Sequence, residues 1–297
     1  MSIAQNILNS ASENSDISSK RKLDEYFSSV LFDDDLWPFD FEKNKVKTEY
    51  LFAHLFPDRF GFSEELRLDI KFSFARHHYL LREKISVDDG LKIDLTSLIR
   101  NGTPDEQHEK FVYHLLNKHQ KFISEYSRKN NIHPDDSVIS IHAHSGKVDG
   151  VKTVGGYIWA TYGFDFASEA ELMTARKAFQ KYAQKHNISI SDKDLKYFKY
   201  PCHFAAFDTG QNIDGNPLGK AFLLQYEWYG VRKADLSENS ELFRYQKAYH
   251  EKSKEAAKSE LSKSFLAVLN KYKHQNTQKR SLTDQLIYLR DKLFHRR

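Results

Sequence analysis

Residues 91–106, LKIDLTSLIRNGTPDE, join a clear strand signal to the strongest helix start in the chain. Leucine and isoleucine alternate with polar residues from Leu91 to Thr96, which is the period of a half-buried strand. Thr103 then offers an N-cap, the next residue is a proline at the first helical position, and Glu106 completes a capping box. The stretch predicts a strand from Leu91 to Ile99 that leads directly into a helix.

The same alternation returns after this helix. The helix is predicted to end before Asn130, and its apolar face consists of Phe111, Leu115, Phe122 and Tyr126. Residues 137–144, SVISIHAH, then place Ile139 and Ile141 on one face of a strand, and His142 and His144 on the other. This part of the chain therefore predicts the order strand, helix, strand.

Turn signals divide the rest of the chain into short elements in mixed order. Ser63 begins a predicted helix, whose apolar face consists of Leu66, Ile70, Phe74, Leu81 and Ile85. A second capping box, from Ser168 to Glu171, starts another helix, and residues 218–231 predict a strand or one arm of a hairpin. Residues 240–273 and 281–297 predict two terminal helices.

These elements together predict an α+β fold with a central mixed sheet flanked by helices and a helical C-terminus. Residues 1–22 are expected to form a disordered lead-in, residues 23–234 the α+β core domain, and residues 235–297 a basic helical C-terminal region. The Ser- and Asn-rich start lacks the apolar region of a Sec-type signal peptide. Starts of this composition resemble the leaders of bacterial effectors, so export as an effector is an alternative to a cytoplasmic location.

Composition excludes several classes of protein. With 297 residues, 40% of them hydrophobic and 14% aromatic, the chain has the bulk for a large core, which excludes intrinsic disorder for most of its length. Its 12 glycines and 6 prolines are too few for a collagen-like architecture. The mean hydropathy of −0.67 and the lack of a long apolar run predict a soluble protein without a membrane span. A single cysteine, Cys202, suits a reducing cytoplasm.

Positive charge is concentrated at the C-terminal end. The whole chain carries a net charge of +4, but the residues from Lys271 onward include eight basic and two acidic residues, a net of six positive charges. Such a run is typical of the solvated face of a terminal helix, and it also suits binding of an acidic partner or of nucleic acid. Both interpretations stay open from the sequence.

His142 and His144 are the histidines best placed for chemistry. Two imidazoles on one face of a strand point into the same space, as metal ligands do, but the sequence does not bring a third ligand to them. We therefore predict no metal ion, and we keep a metal-dependent hydrolase that uses His142 and His144 as an alternative. Either histidine also suits the role of a general base near neutral pH.

The strand, helix and strand, closed by an aromatic segment that ends in Tyr162-Gly163-Phe164, resemble the second half of the GNAT-type N-acyltransferase fold over residues 91–166. The resemblance implies that acyl-CoA is the cofactor and that its pyrophosphate lies at the start of the helix. Arg100, Asn101, Gly102 and Thr103 would bind the phosphates, because free amide groups and the helix dipole attract anions there.

The resemblance also implies transfer of the acyl group to an amine, on a small molecule or on a protein. His142 or His144 would be the base that deprotonates the amine. In that family the general-acid tyrosine lies four residues before the glycine of the Gly-Phe pair, a position that Trp159 occupies here. Tyr157 and Tyr162 are therefore the candidates for the acid. The alternative from another class is a non-enzymatic interaction protein or effector that uses its basic C-terminal helices.

Overall fold

The computed structural model describes residues 47–57, 64–74, 77–87, 90–100, 106–148 and 151–294. These residues form an α+β structure with a mixed sheet, as the sequence predicts. They fall into two compact units. The first contains the described residues up to His142 together with Tyr229–Ser237, and the second contains Ala143–Trp228 and the chain from Glu238 onward. The domain boundary that the sequence predicts at residue 234 lies within Tyr229–Ser237, the second segment of the first unit.

The strands, in chain order, are β1 (Lys47–Pro57), β2 (Glu64–Phe74), β3 (His77–Val87), β4 (Leu91–Arg100), β5 (Val138–Ala143), β6 (Ser145–Val148), β7 (Val151–Val154), β8 (Asp165–Phe166), β9 (Asn212–Ile213), β10 (Asn216–Pro217) and β11 (Trp228–Lys233). The α-helices are α1 (Glu106–Asn130), α2 (Gly155–Thr161), α3 (Glu169–Lys185), α4 (Asp192–Leu195), α5 (Pro201–Ala206), α6 (Leu218–Leu223), α7 (Glu241–Glu251), α8 (Lys254–Ser259) and α9 (Lys263–Phe294).

The first unit is built on a sheet in which β1, β2, β3, β4, β5 and β11 lie side by side in that order. Strands β1 to β4 form an antiparallel meander. Strand β5 is parallel to β4, and α1 connects the two. The amide of Ala234 donates to the carbonyl of Ser137 at one end of β5, and His142 stacks on Tyr229 at the other end. Strand β11 therefore runs antiparallel to β5.

Helix α1 packs on one face of this sheet. Its side chains at Phe111, Leu115 and Ile123 are buried, as are those at alternate positions of β3, β4 and β5. Hydrogen bonds tie the helix to the end of β11, since Gln120 donates to the carbonyl of Lys233 and Ser124 donates to that of Ala234. The predicted strand, helix and strand from residue 91 to residue 144 are confirmed.

The helix predicted from Ser63 is wrong, because residues 64–74 and 77–87 are the strands β2 and β3. The apolar residues used for the prediction, Leu66, Ile70 and Phe74, are spaced by four, and a spacing of four fits both a helical period and an alternating one. In β2 apolar and polar residues in fact alternate without interruption, since Leu68 lies between Leu66 and Ile70, and Phe72 lies between Ile70 and Phe74. The complete alternation identifies a strand.

The second unit is helical around an aromatic core. The rings of Phe179, Phe198, Phe204 and Phe207 contact one another, and Phe265 of α9 joins them edge-on at Phe198. All five side chains are fully buried. The predicted capping box is present, because the hydroxyl of Ser168 accepts a hydrogen bond from the amide of Glu171 at the start of α3.

The aromatic segment begins in the helix α2, which ends at Thr161, and the strand β8 follows directly after Phe164. Two predictions for this unit need correction. Residues 218–231 contain the helix α6 before β11, rather than one strand. The C-terminal region forms three helices instead of the two predicted. The hydroxyl of Ser253 caps a new helix at the amide of Ala256 and so separates α7 from α8.

Candidate functional site

In the first unit, β4 and β5 separate at their carboxyl ends. Their parallel pairing runs from Lys92 and Val138 to Leu95 and Ile141, whereas β4 continues to Arg100 in its pairing with β3. A β-bulge lies where the pairing with β5 stops. Glu83 of β3 pairs with Leu95 and the preceding Arg82 pairs with Ser97, so β4 has one extra residue at this point. Bulges of this kind bend a strand and are frequent beside active sites. We call the unpaired ends of the two strands, beyond Leu95 and Ile141, the gap; it lies at the edge where open sheets bind ligands.

The polar side chains beside this gap lie on the face of the sheet opposite to α1. Along β5 the buried positions alternate with half-buried ones, so Ser140 and His142 share this opposite face. The Ser140 hydroxyl donates a hydrogen bond of 3.2 Å to the Oδ1 atom of Asp94 on β4. Thr96, also on this face, is exposed and donates to the carbonyl of Arg82. An imidazole, a carboxylate and two hydroxyls thus lie near the strand ends.

His142 is held flat against a tyrosine. Its ring stacks on the ring of Tyr229, with centroids 4.2 Å apart and planes inclined by 11°. The two residues face each other across β5 and β11, where directly opposed side chains are close enough to pack. Tyr229 is 55% exposed, so the stacked pair is open to solvent. An imidazole in this placement is a candidate for proton transfer.

His144 lies in the second unit, just after β5. Its Nδ1 atom is 3.9 Å from the Oε1 atom of Glu227, and both side chains are partly exposed, at 43% and 49%. A carboxylate beside an imidazole helps to fix the orientation of the ring. The proton-transfer role that the sequence assigns to His144 stays a prediction, and its neighbour Glu227 was not identified from the sequence.

Tyr157 and Tyr162 are both buried in the second unit. The hydroxyl of Tyr157 shares a hydrogen bond of 3.0 Å with the hydroxyl of Tyr249, and the Nζ atom of Lys220 lies 5.1 Å from the centroid of its ring. The ring of Tyr162 is 1% exposed and stacks on His250 at 4.4 Å. The Tyr157 hydroxyl is therefore hydrogen-bonded to a second phenol.

Of the four predicted phosphate-binding residues, Arg100 alone lies within the described residues, where it is the last residue of β4. Asn101, Gly102 and Thr103 lie outside the described residues. The helix that follows them, α1, is 25 residues long and begins at Glu106.

A buried charged pair lies on the other face of the same sheet, under α1. The Nε2 atom of His119 is 2.8 Å from the Oε1 atom of Glu83 on β3, and each side chain is 1% exposed. Burial lowers the pKa of His119, but the Glu83 carboxylate more than offsets this effect, so that the pKa is raised above its ordinary value. The buried guanidinium of Arg232 on β11 lies in the same layer and donates to the Oδ1 atom of Asn117 at 2.6 Å. Burial lowers the pKa of Arg232 to about 10.

A second buried histidine lies in the second unit. The amide of Lys199 donates to the Nδ1 atom of His203, so the proton of that imidazole is on Nε2, which donates to Glu241 at 2.7 Å. Burial raises the pKa of Glu241, but the bonds from His203 and from the amide of Ser262 more than offset this effect and lower the pKa. This network joins α5 and α7 to Ser262, the residue before α9.

Comparison of the chain with family models, with curated proteins and with solved structures gave no match. Among the helices of the described residues, none has the length and apolar character needed to cross a membrane.

Proposed function

We propose that the chain is a GNAT-like acyltransferase, or a degenerate relative of one, which moves an acyl group from acyl-CoA to an amine of a small molecule or a protein. The observation that supports this proposal is the parallel pair of β4 and β5, which α1 connects and which separates after Leu95 and Ile141. The resemblance requires these two strands to be neighbours around that helix. A sheet in which they were apart would have ruled it out.

The chemistry of acyl-CoA suits this gap. Acyl-CoA is a nucleotide with a pyrophosphate and an extended arm that contains amides and ends in the thioester. Beyond Leu95 the backbone of β4 has no pairing with β5, and strand edges of this kind bind extended ligands through N–H and C=O groups. The pyrophosphate would lie at residues 100–103, before the positive end of the α1 dipole. A cytoplasmic location is part of the proposal, since acyl-CoA is an intracellular donor.

The proposed reaction needs one base and one acid. His142, or His144 in the second place, takes a proton from the amine, whose nitrogen then forms a bond to the thioester carbonyl carbon. The carbon–sulfur bond breaks, and the departing thiolate takes a proton from a general acid, the role that the resemblance gives to Tyr157 or Tyr162. The stacking of His142 on Tyr229 fixes the plane of the imidazole before substrate arrives, which lowers the entropy cost of proton transfer.

Calorimetric titration with CoA and with acetyl-CoA, followed by an acetyl-transfer assay on an amine panel, tests the proposal. We expect both CoA species to bind and Gly102→Trp to abolish binding. We expect His142→Gln to leave acetyl-CoA affinity unchanged and to lower kcat by about 10²-fold to 10⁴-fold, the usual effect of a lost general base. The matched control is His274→Gln, which changes an exposed histidine of α9. Absence of binding by both CoA species would overturn the proposal, and stoichiometric metal in the purified protein would favour the hydrolase.

A further inference from the structure

The long helix α9 changes character along its length. Its first part is packed into the second unit, where Phe265, Val268 and Tyr272 are buried. From Thr277 onward, every side chain that the structure describes is exposed. These are the side chains of Thr277, Gln278, Ser281, Leu282, Gln285 and Leu286. An isolated helix of this length is marginal in water, because helices in proteins depend on packing of an apolar face.

The exposed part carries an apolar face of its own. Leu282 is 60% exposed and Leu286 is 66% exposed, and the two lie one turn apart. They are the most exposed of the large hydrophobic residues in the described part of the chain. In the sequence the spacing continues at Leu289 and Leu293, so that steps of four and three residues alternate. This alternation is the a and d pattern of a coiled coil.

The buried and the exposed parts follow one register. Phe265, Val268 and Tyr272 are separated by the same steps of three and four, and continuing those steps along the helix leads to Leu282 and Leu286. In the first part of α9 the stripe packs against the aromatic core of the second unit. Between the two parts the register passes through Gln275 and Lys279, which are polar, and leucines occupy it again at Leu282 and Leu286. These leucines form a second, exposed apolar stripe, which predicts a helix surface that binds a partner.

The charges beside the stripe select the partner. In this register Arg290 and Lys292 occupy the e and g positions, which flank the seam and decide which helices pair. From Lys279 to the end of the sequence there are six basic and two acidic residues. A second copy of the chain would bring basic flanks against basic flanks. A helix with leucines on its seam and acidic residues beside it would satisfy both features.

We propose that the leucine-striped end of α9, residues 277–294, binds an acidic amphipathic helix of another protein. This inference is independent of the acyltransferase proposal, because the surface lies outside the residues that the reaction uses. Nucleic acid fits less well, since it is bound mainly through phosphate contacts from basic and polar side chains, which do not need exposed leucines in a heptad spacing. An acidic helix uses the leucines and the positive charges together.

The test uses the full chain and a fluorescent synthetic peptide of about 21 residues, which has leucine at a and d and glutamate at e and g. A scrambled peptide of equal composition and a short DNA duplex are the competing probes. The variant is Leu282→Asp with Leu286→Asp. Its matched control is Ser281→Asp with Gln285→Asp, which adds the same two charges at the same spacing, on exposed positions beside the stripe.

We expect the peptide to bind in a fluorescence anisotropy titration, the scrambled peptide to bind at least about tenfold more weakly, and the leucine variant to lose at least as much affinity. The control variant should lose less. The proposal is overturned if the scrambled peptide binds equally, if the duplex is preferred and the leucine variant still binds it, or if the striped peptide does not bind. Sedimentation velocity that shows a dimer dependent on Leu282 and Leu286 would also overturn it, in favour of a second copy.

Discussion

The buried pair of Glu83 and His119 makes the stability of the first unit depend on pH in a predictable direction. The Nδ1 atom of His119 lies 2.8 Å from the carbonyl oxygen of Leu115, an acceptor, so Nδ1 carries a proton. The Nε2 atom faces the Glu83 carboxylate at 2.8 Å and needs a second proton to donate to it. The folded chain therefore holds His119 as an imidazolium, in agreement with its raised pKa. Glu83→Gln replaces the carboxylate by an amide that can donate to a neutral imidazole.

The sign of the effect follows from proton uptake. The pKa of His119 is raised above its ordinary value of 6.5, so above that pH the folded chain keeps a proton that the unfolded chain has released. The free energy of unfolding then falls with rising pH, by up to about 1.4 kcal/mol per pH unit, until the folded pKa is passed. In Glu83→Gln, burial and the charge of Arg232 both lower the pKa, so the free energy of unfolding rises with pH up to about 6.5.

The two curves should therefore converge. At pH 5.5 we expect the variant to be less stable by about 3 kcal/mol, since it loses one partner of a buried pair. Between pH 5.5 and pH 7.5 this difference should shrink by about 2 to 3 kcal/mol, one proton over two pH units. Urea unfolding followed by circular dichroism across this range measures it. Glu238→Gln, at an exposed site, is the control. A constant difference between the two chains across the range would refute the reasoning.

Three further changes test the second unit. A Cβ atom at Gly219 would lie 1.8 Å from the carbonyl oxygen of Phe204, so Gly219→Ala should cost about 3 kcal/mol in thermal unfolding, and an unchanged midpoint would contradict this. Burial raises the pKa of Asp194, but hydrogen bonds from Lys271, Ser191 and Tyr272 more than offset this effect, so that the pKa is lowered. The stability that this carboxylate contributes is present above its ordinary pKa of 3.8 and is lost as the pH falls through the lower folded pKa. Asp194→Asn should therefore lower the free energy of unfolding by about 2 kcal/mol at pH 7. Below pH 4 the variant should lose less stability with falling pH than the parent chain. Burial, and then nearby carboxylates, raise the pKa of Cys202, so a thiol reagent should react about tenfold or more slowly with the native chain than with the urea-unfolded chain.

The elements predicted correctly are those in which local signals agree. In β4 the alternation, and in α1 the helical period, indicate the structure that is observed. The region from Glu64 to Val87 failed because only every second apolar residue was considered. The helix α6 was missed because its apolar run fits both periods, and packing of Gly219 against the backbone of α5 decides between them.

The candidate site could be predicted only in part. Alternation along one strand is enough to place His142 on the polar face of β5, and that placement is confirmed. The residues that give the imidazole its surroundings come from other strands. Tyr229 returns from a much later part of the chain, and Asp94 meets Ser140 through the parallel register of β4 and β5. Strand register between distant segments depends on the whole fold, so a single sequence did not specify these contacts.

The buried charges were the least predictable feature, and they bear directly on the proposed site. Glu83 lies between Arg82 and Lys84, so its sequence context indicates a solvated position, although its side chain faces α1. Apolar contacts are not directional, and α1 could slide along the sheet with little loss of them. The ion pair with His119 permits one register only, because any shift would leave a buried charge without its partner. We infer that this pair fixes where α1 begins relative to the end of β4, which is the position that the proposed pyrophosphate site requires.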